Sequence, residues 1–441
     1  MSILKRNVFR SSNTRIEKEY NLIVIGGGPS GLSAAISAYD RGERNILIIE
    51  RQASLGGVLN SCLQDGFGFD TFKRSLTGQE YVLQFVKSIK ERRIETALNT
   101  TVLNVTEDKI IKAVSPKKGI VYYRAKSIVF ALGSREKPRG ALNIPGSRPN
   151  GVYVSGGVQK MLNDKEKLHA TKAVILGSDD VGLSLAHRLV INGITIQAVI
   201  EPNKHLCGSF YNKEKSLDSY DIPLLLSHRI KKVIGNKRIE GVVVEKNNYE
   251  NNTTDKEMTI ECDLLIISVG LIPDTELLSS MGIEISPLSL GPIVNDRYET
   301  SIPGLFVSGN ALFIHDTADR ITKEGFAVGE KAVQYINNSG TQNYYWETEL
   351  SDLIMNVIVK GDVSYAVPQI IDINKSDNDI SVFFRVKEEI RDKSVKVILS
   401  GNEYQTIHKK VLYPNMVYSL LLSKRDVISR TSTDNSIIIE I

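Results

Sequence analysis

Three cysteines in 441 residues, Cys62, Cys207 and Cys262, form neither a CxxC pair nor a zinc spacing. That scarcity argues against a disulfide scaffold and against a structural metal site. No apolar run approaches the roughly 18 residues that a membrane helix needs, so the chain reads as soluble, with no membrane span. An excess of one charge is lacking too: 55 basic and 51 acidic residues leave a net +4, which gives no reason to expect a nucleic-acid partner. With 41% hydrophobic and 24% charged residues, a sizeable core is available and two or three domains are expected.

What the chain does have is a pair of strand-to-helix glycine loops. The first reads Asn21-Leu-Ile-Val-Ile-Gly26-Gly-Gly28-Pro-Ser-Gly31-Leu. Leu22 to Ile25 suits a buried parallel strand, and Leu32 to Tyr39 is a good helix former. Gly26 permits the tight turn, Gly28 lets a pyrophosphate approach the backbone, and Gly31 lets the helix pack close to the strand. With Pro29 and Ser30 they place phosphates on the positive helix end. A second strand, Asn45 to Ile49, ends at Glu50, 24 residues after Gly26 and followed by Arg51, where an acid accepts the adenosine ribose hydroxyls.

The second loop, Lys172-Ala-Val-Ile-Leu-Gly177-Ser-Asp179-Asp-Val-Gly182-Leu, keeps Gly177 and Gly182 but has Asp179 at the close-approach position. An aspartate there adds a Cβ and a negative charge beside a pyrophosphate, so it opposes binding twice. The frame around it survives: a helix from Val181 to Ile191, then a strand from Thr195 to Ile200 ending in Glu201, an acid that favours NAD over NADP. Ser178, Val181 and Gly270 complete the candidate NAD set. Two such loops in this order point to a flavin and a nicotinamide; at the second, the fold is expected and the ligand stays open.

Residues 1–20 form a basic N-terminal extension whose stretch from Met1 to Ile16, serine-bearing and acid-free, is either a disordered tail or an organellar transit peptide. Leu55 to Gly68 is glycine-rich and runs into a helix, Gly78 to Glu91. Thr100 to Val105 and Gly119 to Ala125 alternate like antiparallel strands, and Ser127 to Ala131 is a separate buried strand. The Pro- and Gly-dense stretch Asn143 to Gly151 marks a boundary. A polar hairpin loop is expected from Asn247 to Lys256, a helix from Thr322 to Ile336, and a polar stretch from Asn337 to Gln342. Beyond it, β-branched runs at Leu353–Val359, Ile380–Val386, Val395–Leu399, Val417–Leu422 and Ile437–Ile441 suggest a small β-sandwich. The expected fold is α/β, with two Rossmann-like domains, the second inserted in the first. Residues 21–148 and 291–340 form one, 149–290 the other, and 350–441 the β tail.

The chain resembles the two-dinucleotide-binding-domain flavoproteins of the thioredoxin reductase type, within the pyridine nucleotide-disulfide oxidoreductase superfamily. More narrowly, it resembles the NAD(P)/FAD-dependent oxidoreductases that accompany FAD-linked glycerol-3-phosphate dehydrogenase, and it is similar to subunits of amine and opine dehydrogenase complexes. The narrow likeness rests on Leu55 to Gly68, on Ala131-Leu-Gly-Ser-Arg-Glu136 with Ile144 to Arg148, and on Ser308-Gly-Asn-Ala-Leu-Phe-Ile-His-Asp316. It implies FAD stretched across the first domain, with Gly26, Gly28 and Gly31 at the pyrophosphate, Glu50 at the ribose and Val102 near the adenine. It further implies Gly57 on the flavin side, Ala131 and Gly133 at the returning turn, and Gly309 and Asn310 at the ribitol. Asn310 replaces the wider family's aspartate but still donates and accepts. If NAD(H) binds, Val269-Gly270 and Glu201 frame its site.

Where thioredoxin reductases carry their dithiol, this chain has Ser155 and Val158 in Gly151-Val-Tyr-Val-Ser-Gly-Gly-Val158, which excludes disulfide reduction at that place. Cys62 either tunes the flavin or packs as a small side chain. His315, near the ribitol turn, is either a flavin neighbour and proton shuttle or a hydrogen-bonded loop histidine. The expectation is an FAD-dependent oxidoreductase passing electrons between NAD(P)H or a partner dehydrogenase and its flavin. The alternative is a flavin-holding, electron-relay subunit with a degenerate NAD site. The partner would be a glycerol-3-phosphate dehydrogenase-like or amine dehydrogenase-like flavoprotein in an oligomer or hetero-complex. The location is cytoplasmic or, if the basic arm is a leader, the matrix of a mitochondrion-related organelle.

Overall fold

A computed structural model describes residues 16–246, 257–338, 354–377, 379–430 and 435–441. The arm before residue 16, the polar loop 247–256 and the polar stretch beyond Asn338 lie outside the described residues. The first apolar run gives β1 (Lys18–Ile25), which starts inside the segment the sequence assigns to the arm, followed by α1 (Pro29–Asp40) and β2 (Ile46–Ile49). After the short α2 (Phe69–Phe72), α3 (Gly78–Glu91) begins at a capping box in which Thr77 and Glu80 each accept from the other's backbone amide. Then come β3 (Glu95–Ala97), β4 (Thr101–Val105), β5 (Ile110–Ser115) and β6 (Gly119–Phe130).

β1 is buried from Leu22 to Ile25 and lies parallel to β2 on one side and to β6 on the other. β6 corrects the sequence reading, which divides it in two: it is one strand of 12 residues whose halves serve different neighbours. Its first half pairs antiparallel with β5, and Ile128–Phe130 pairs parallel with Leu305–Val307. β5 itself, with Lys112 between its two buried residues Ile111 and Ala113, gives too weak a pattern to be expected from sequence.

The second unit runs through β7 (Ser134–Glu136), β8 (Val152–Val154), α4 (Ser155–Asn163), β9 (Lys172–Leu176), α5 (Asp180–Ile191), β10 (Thr195–Glu201) and α6 (Phe210–Ser216). It continues through β11 (Leu224–Leu226), β12 (His228–Gly235), β13 (Ile239–Lys246), β14 (Met258–Glu261) and β15 (Leu264–Ile267). Its parallel sheet has the order β11-β10-β9-β15-β8. The β12–β14 meander covers one face, with Ile230, Val242 and Val244 on Val174 and Ile200, and α4 and α5 cover the other. β16 (Leu271–Pro273) then pairs antiparallel with β7, so chain entry and exit share one ribbon.

α7 (Glu276–Ser280), β17 (Leu305–Val307) and α8 (Ala318–Asn338) return to the first unit. α8 packs on α1 through Gly325 and Gly329, where an added methyl would overlap the Ser33 hydroxyl and the Ala34 carbonyl oxygen respectively. The tail holds β18 (Ile354–Lys360), β19 (Val363–Val367), β20 (Ile370–Asp372), β21 (Asp379–Val386), β22 (Ile390–Leu399), β23 (Asn402–Leu412), β24 (Tyr418–Ser423), α9 (Lys424–Arg430) and β25 (Ser436–Glu440). Sheets β20-β18-β25-β22-β23 and β19-β21-β24 share one apolar core, which makes a sandwich. β19, β20 and the mostly exposed β23 are additions to the strands read from sequence.

Cross-contacts join the three parts. Asn163 of α4 donates to the Ser61 carbonyl at 2.9 Å, and Asn415 in the tail donates to the Cys207 carbonyl at 2.6 Å. The next residues of that tail loop reach the first unit: Val417 donates its amide to Asp316 at 3.1 Å and accepts from Arg320 at 2.7 Å.

The helix contact generates a test. Gly329→Val should force α8 off α1 and cost about 1–3 kcal/mol or more. Gly140→Ala, at a glycine with open space around it, should stay within about 0.5 kcal/mol of the parent. Thermal unfolding of both variants distinguishes this from general sensitivity to glycine replacement.

Candidate functional site

The turn between β1 and α1 is held by its backbone. Gly26, at φ +110, donates to the Ile49 carbonyl at 2.8 Å. Glu50, only 6% exposed, accepts the Gly27 amide on one oxygen and the Gln52 amide on the other, both at 2.7 Å. A carboxylate has about four lone-pair sites, so two remain for ribose hydroxyls. α1 begins at Gly28 with no side-chain cap, which leaves its positive end open to an anion. The neighbouring loop is fastened by the Gly56 amide on the Gly27 carbonyl at 2.7 Å. The one atom near a methyl added at Gly28 is the bare Cα of Gly57, at 4.0 Å, and Val58 beside it is 72% exposed.

The other first-unit candidates converge on this channel. Ala131 bonds back to the Ile25 carbonyl at 2.8 Å, and Gly133, at φ +78, faces open space. Ser30 and Ser308 share a 2.6 Å hydrogen bond that brings Gly309 against the start of α1. Asn310 accepts from the His315 amide at 3.0 Å and reaches Ser134 at 3.4 Å. Val102 lies half-buried on β4, two residues after Thr100, whose amide bonds the Glu50 carbonyl at 2.9 Å. Arg51 is mostly exposed, its guanidinium 3.9 Å from Asp274. Two bare glycines, an uncapped helix end and an acid with spare acceptors fit FAD.

The second turn has the same backbone. Gly177 donates to the Ile200 carbonyl at 2.7 Å, Ser178 to Glu201 at 2.9 Å, and Gly208 to the Ser178 carbonyl at 2.7 Å. The side chains differ. Asp179 is the N-cap of α5, taking the Gly182 amide at 2.8 Å and the Ser268 hydroxyl at 2.5 Å. Glu201, 2% exposed, accepts from the Ser178 amide and hydroxyl and from the Asn203 amide and side chain, at 2.7–2.9 Å. Asp180 takes the Ser209 amide and hydroxyl at 2.8 Å. Val181 is exposed at the start of α5, and Gly270, at φ +85, is open like Gly133. These residues do not fit a dinucleotide as the first set does.

Asp179 also ends a polar chain. Glu136 takes the Ser155 hydroxyl at 2.5 Å and the Gly156 amide at 2.8 Å, and Ser155 lies 3.2 Å from Ser268. The two hydroxyls thus link the two carboxyls through three contacts. Burial pushes Asp179 up to about 6, against the pull of its bonds to Ser268 and Gly182. Glu136 and Ser268 are not among the residues expected from sequence because only the fold brings them to Asp179 and Ser155, and Asn203 is not because its role depends on its side chain turning back onto Glu201.

His315 is buried. Its Nδ1 lies 3.0 Å from the Phe313 carbonyl and its Nε2 3.0 Å from Glu324, whose other oxygen takes the Gly309 amide at 2.6 Å. Both ring nitrogens thus have partners within the protein, an arrangement that ties His315 through Glu324 to the Gly309 turn. Cys62 is half-buried, its sulfur 3.6 Å from the Val58 carbonyl, and burial pushes its thiol up to about 11. Cys207 and Cys262 are both pushed up to about 12, chiefly by burial.

The sequence model of the family described as Pyridine nucleotide-disulphide oxidoreductase matches residues 20–334. Ferredoxin–NADP reductase 2 of Listeria monocytogenes is 25% identical over 327 residues, 73% of this chain and 93% of that protein. Among solved structures, Lactococcus lactis thioredoxin reductase in its FR conformation matches with TM-score 0.58 and 20% identity, over 72% of this chain and 99% of its own. Bacillithiol disulfide reductase from Bacillus cereus gives TM-score 0.58 and 21% identity over 73% and 99%. An NAD-dependent persulfide reductase from A. fulgidus gives TM-score 0.55 and 16% identity over 92% of this chain and 71% of that one.

Two measurements follow from the site. Asp179 rises from 3.8 to about 6 on folding, so its contribution to stability is fully present below 3.8 and is lost as pH rises through 6. Asp179→Asn keeps the cap without the charge. It should therefore raise the melting temperature at pH 8, by at most about 3 kcal/mol in stability, with the gain vanishing near pH 4. Equal gains at both pH values would contradict the assignment. In the second measurement, Cys62 should react with iodoacetamide at pH 7.5 about 100-fold more slowly than a thiol of ordinary acidity. Peptide mass spectrometry over time reads that rate.

Proposed function

The chain belongs to the pyridine nucleotide-disulphide oxidoreductase family, and we propose that within it the protein is a dithiol-free FAD oxidoreductase that exchanges electrons with a carrier or partner protein. FAD dependence and oxidoreductase chemistry of the NAD(P)H-linked class come with that membership. The observation that carries the finer reading is the contrast around the flavin channel. The first turn keeps every group a dinucleotide needs, while Ser155, at the place of a family thiol, donates to Glu136.

When bound, the flavin takes up and gives away two electrons, together or singly. The chain's residues bind and orient it. The α1 end and Gly28 receive the pyrophosphate, Glu50 the adenosine ribose, Asn310 and Gly309 the ribitol, and the loop from Gly57 to Cys62 borders the ring. Glu324 and His315 hold the Gly309 turn in place. With all three thiols poorly ionised, electrons have no thiolate route in or out. A carrier of the ferredoxin kind suits this best, as the relative's name suggests for that protein.

In this reading 21–148 with 291–340 make the FAD domain, 149–290 the nicotinamide-type domain, and 350–441 the tail, a division that the β7–β16 ribbon supports. A partner flavoprotein dehydrogenase of the glycerol-3-phosphate or amine type is the second reading. It is favoured by the closed side chains of the second turn.

The test starts from the purified holoprotein. Its oxidised flavin spectrum should be present, and after anaerobic photoreduction it should be reoxidised by ferredoxin at least about tenfold faster than by thioredoxin or glutathione disulfide. Turnover of either disulfide at comparable rates would sink the proposal. Gly28→Asp, which gives the first turn the second turn's residue, should cost about 100-fold or more in FAD affinity, read as flavin lost on gel filtration.

A further inference from the structure

We infer that the second nucleotide site is self-liganded: Asp179, Ser178 and Asn203 take the places of a pyrophosphate and of ribose hydroxyls, so a nicotinamide dinucleotide binds there only in competition with them. The inference rests on reading the first turn as the FAD site, and it names the residues that set nucleotide affinity at the second.

The two turns can be compared bond by bond because their frames coincide. Gly26 and Gly177 bond the end of the second strand at 2.8 and 2.7 Å, and Gly56 and Gly208 bond the turn carbonyl at 2.7 Å in both. Gly27 and Ser178 bond the terminal acid at 2.7 and 2.9 Å, and Gln52 and Asn203 bond its other oxygen at 2.7 and 2.8 Å. Ala131 and Ser268 likewise bond the last residue of the first strand, at 2.8 and 2.7 Å, so the backbone correspondence pairs Gly28 with Asp179, Gly57 with Ser209, and Ala131 with Ser268.

Every replacement on that shared frame moves one way. Asp179 brings a carboxylate to the positive end of α5 and takes the Gly182 amide; the corresponding end of α1 carries no side-chain cap. Ser268 supplies that carboxylate with a hydroxyl where Ala131 has only a methyl. Ser209, opposite, is tied to Asp180 where Gly57 is bare. At the acid, Ser178 and Asn203 add side-chain donors to the two amides, so all four lone-pair sites of Glu201 are filled and two of Glu50's are left. An incoming dinucleotide must displace the carboxylate from the helix end and break both added hydrogen bonds before its own form. An unmade bond to a buried charged group is costly, so affinity falls.

The test is calorimetric titration of the FAD-loaded protein with NAD+ and, anaerobically, with NADH. The parent protein should bind either with a Kd of about 1 mM or weaker. Asp179→Gly with Asn203→Ala should bind at least about tenfold more tightly, and each single change should give part of the gain. An unchanged flavin spectrum and melting temperature would show that the variants fold. A parent Kd below about 50 μM overturns the inference, as does a folded double variant no tighter than the parent. If the parent holds no FAD, the functional reading fails, whereas the nucleotide titration still decides the second turn by itself.

Discussion

The uncapped positive end of α1 is the feature on which the first unit's arrangement depends. A helix begins with backbone amides that need partners, and α3, α5 and α6 find one in the side chains of Thr77, Asp179 and Ser209. At α1 they stay available because Gly28 has no side chain and because Glu50 is turned aside onto the Gly27 and Gln52 amides. α8 supports this from behind: its glycines let it lie against α1, and its Glu324 fixes Gly309 across the channel. The second unit uses the same strand, turn and helix with that end neutralised. The two halves share one backbone solution and differ in where the negative charge comes from.

That difference explains how far the sequence could be read. The Gly26–Gly31 turn, Glu50 and the helix from Gly78 to Glu91 were legible because their signals are local: spacing, capping and apolar runs. Asp179 was legible as an obstacle, since an acid replacing a glycine is conspicuous. Its partners were not, because Ser268 follows it by 89 residues and Glu136 precedes it by 43, and only sheet order brings them together. Asn203 carries no signal of its own; its side chain matters because it folds back onto Glu201. The missed strands have the same cause. β23 is polar or exposed along much of its length and β5 is a six-residue run interrupted by Lys112, so both depend on their strand neighbours more than on a hydrophobic pattern of their own.

The thiols and the histidine complete the account of the flavin's surroundings. A cysteine becomes a redox participant when positive charge or a helix end stabilises its thiolate; here burial dominates at all three and acts in the opposite direction. His315 lies close to the channel, but both its nitrogens are spent on Phe313 and Glu324. Its contacts hold the Gly309 turn rather than leave a nitrogen free. The protein's chemical contribution is concentrated in geometry and electrostatics, with the electron carriage left to the cofactor.

The contacts among the three parts have a mechanical consequence. Asn163 ties the second unit to the loop at Ser61, while a single tail loop reaches Cys207 on one side and Asp316 and Arg320 on the other. An enzyme whose dithiol must travel between its flavin and an outside protein needs a swivel between its units. On the proposed reading this chain has no such cargo, and these hydrogen bonds tie its three parts to one another. On the proposed reading nothing has to travel inside the molecule between the flavin and its partner, and the timing of a turnover would pass to their encounter.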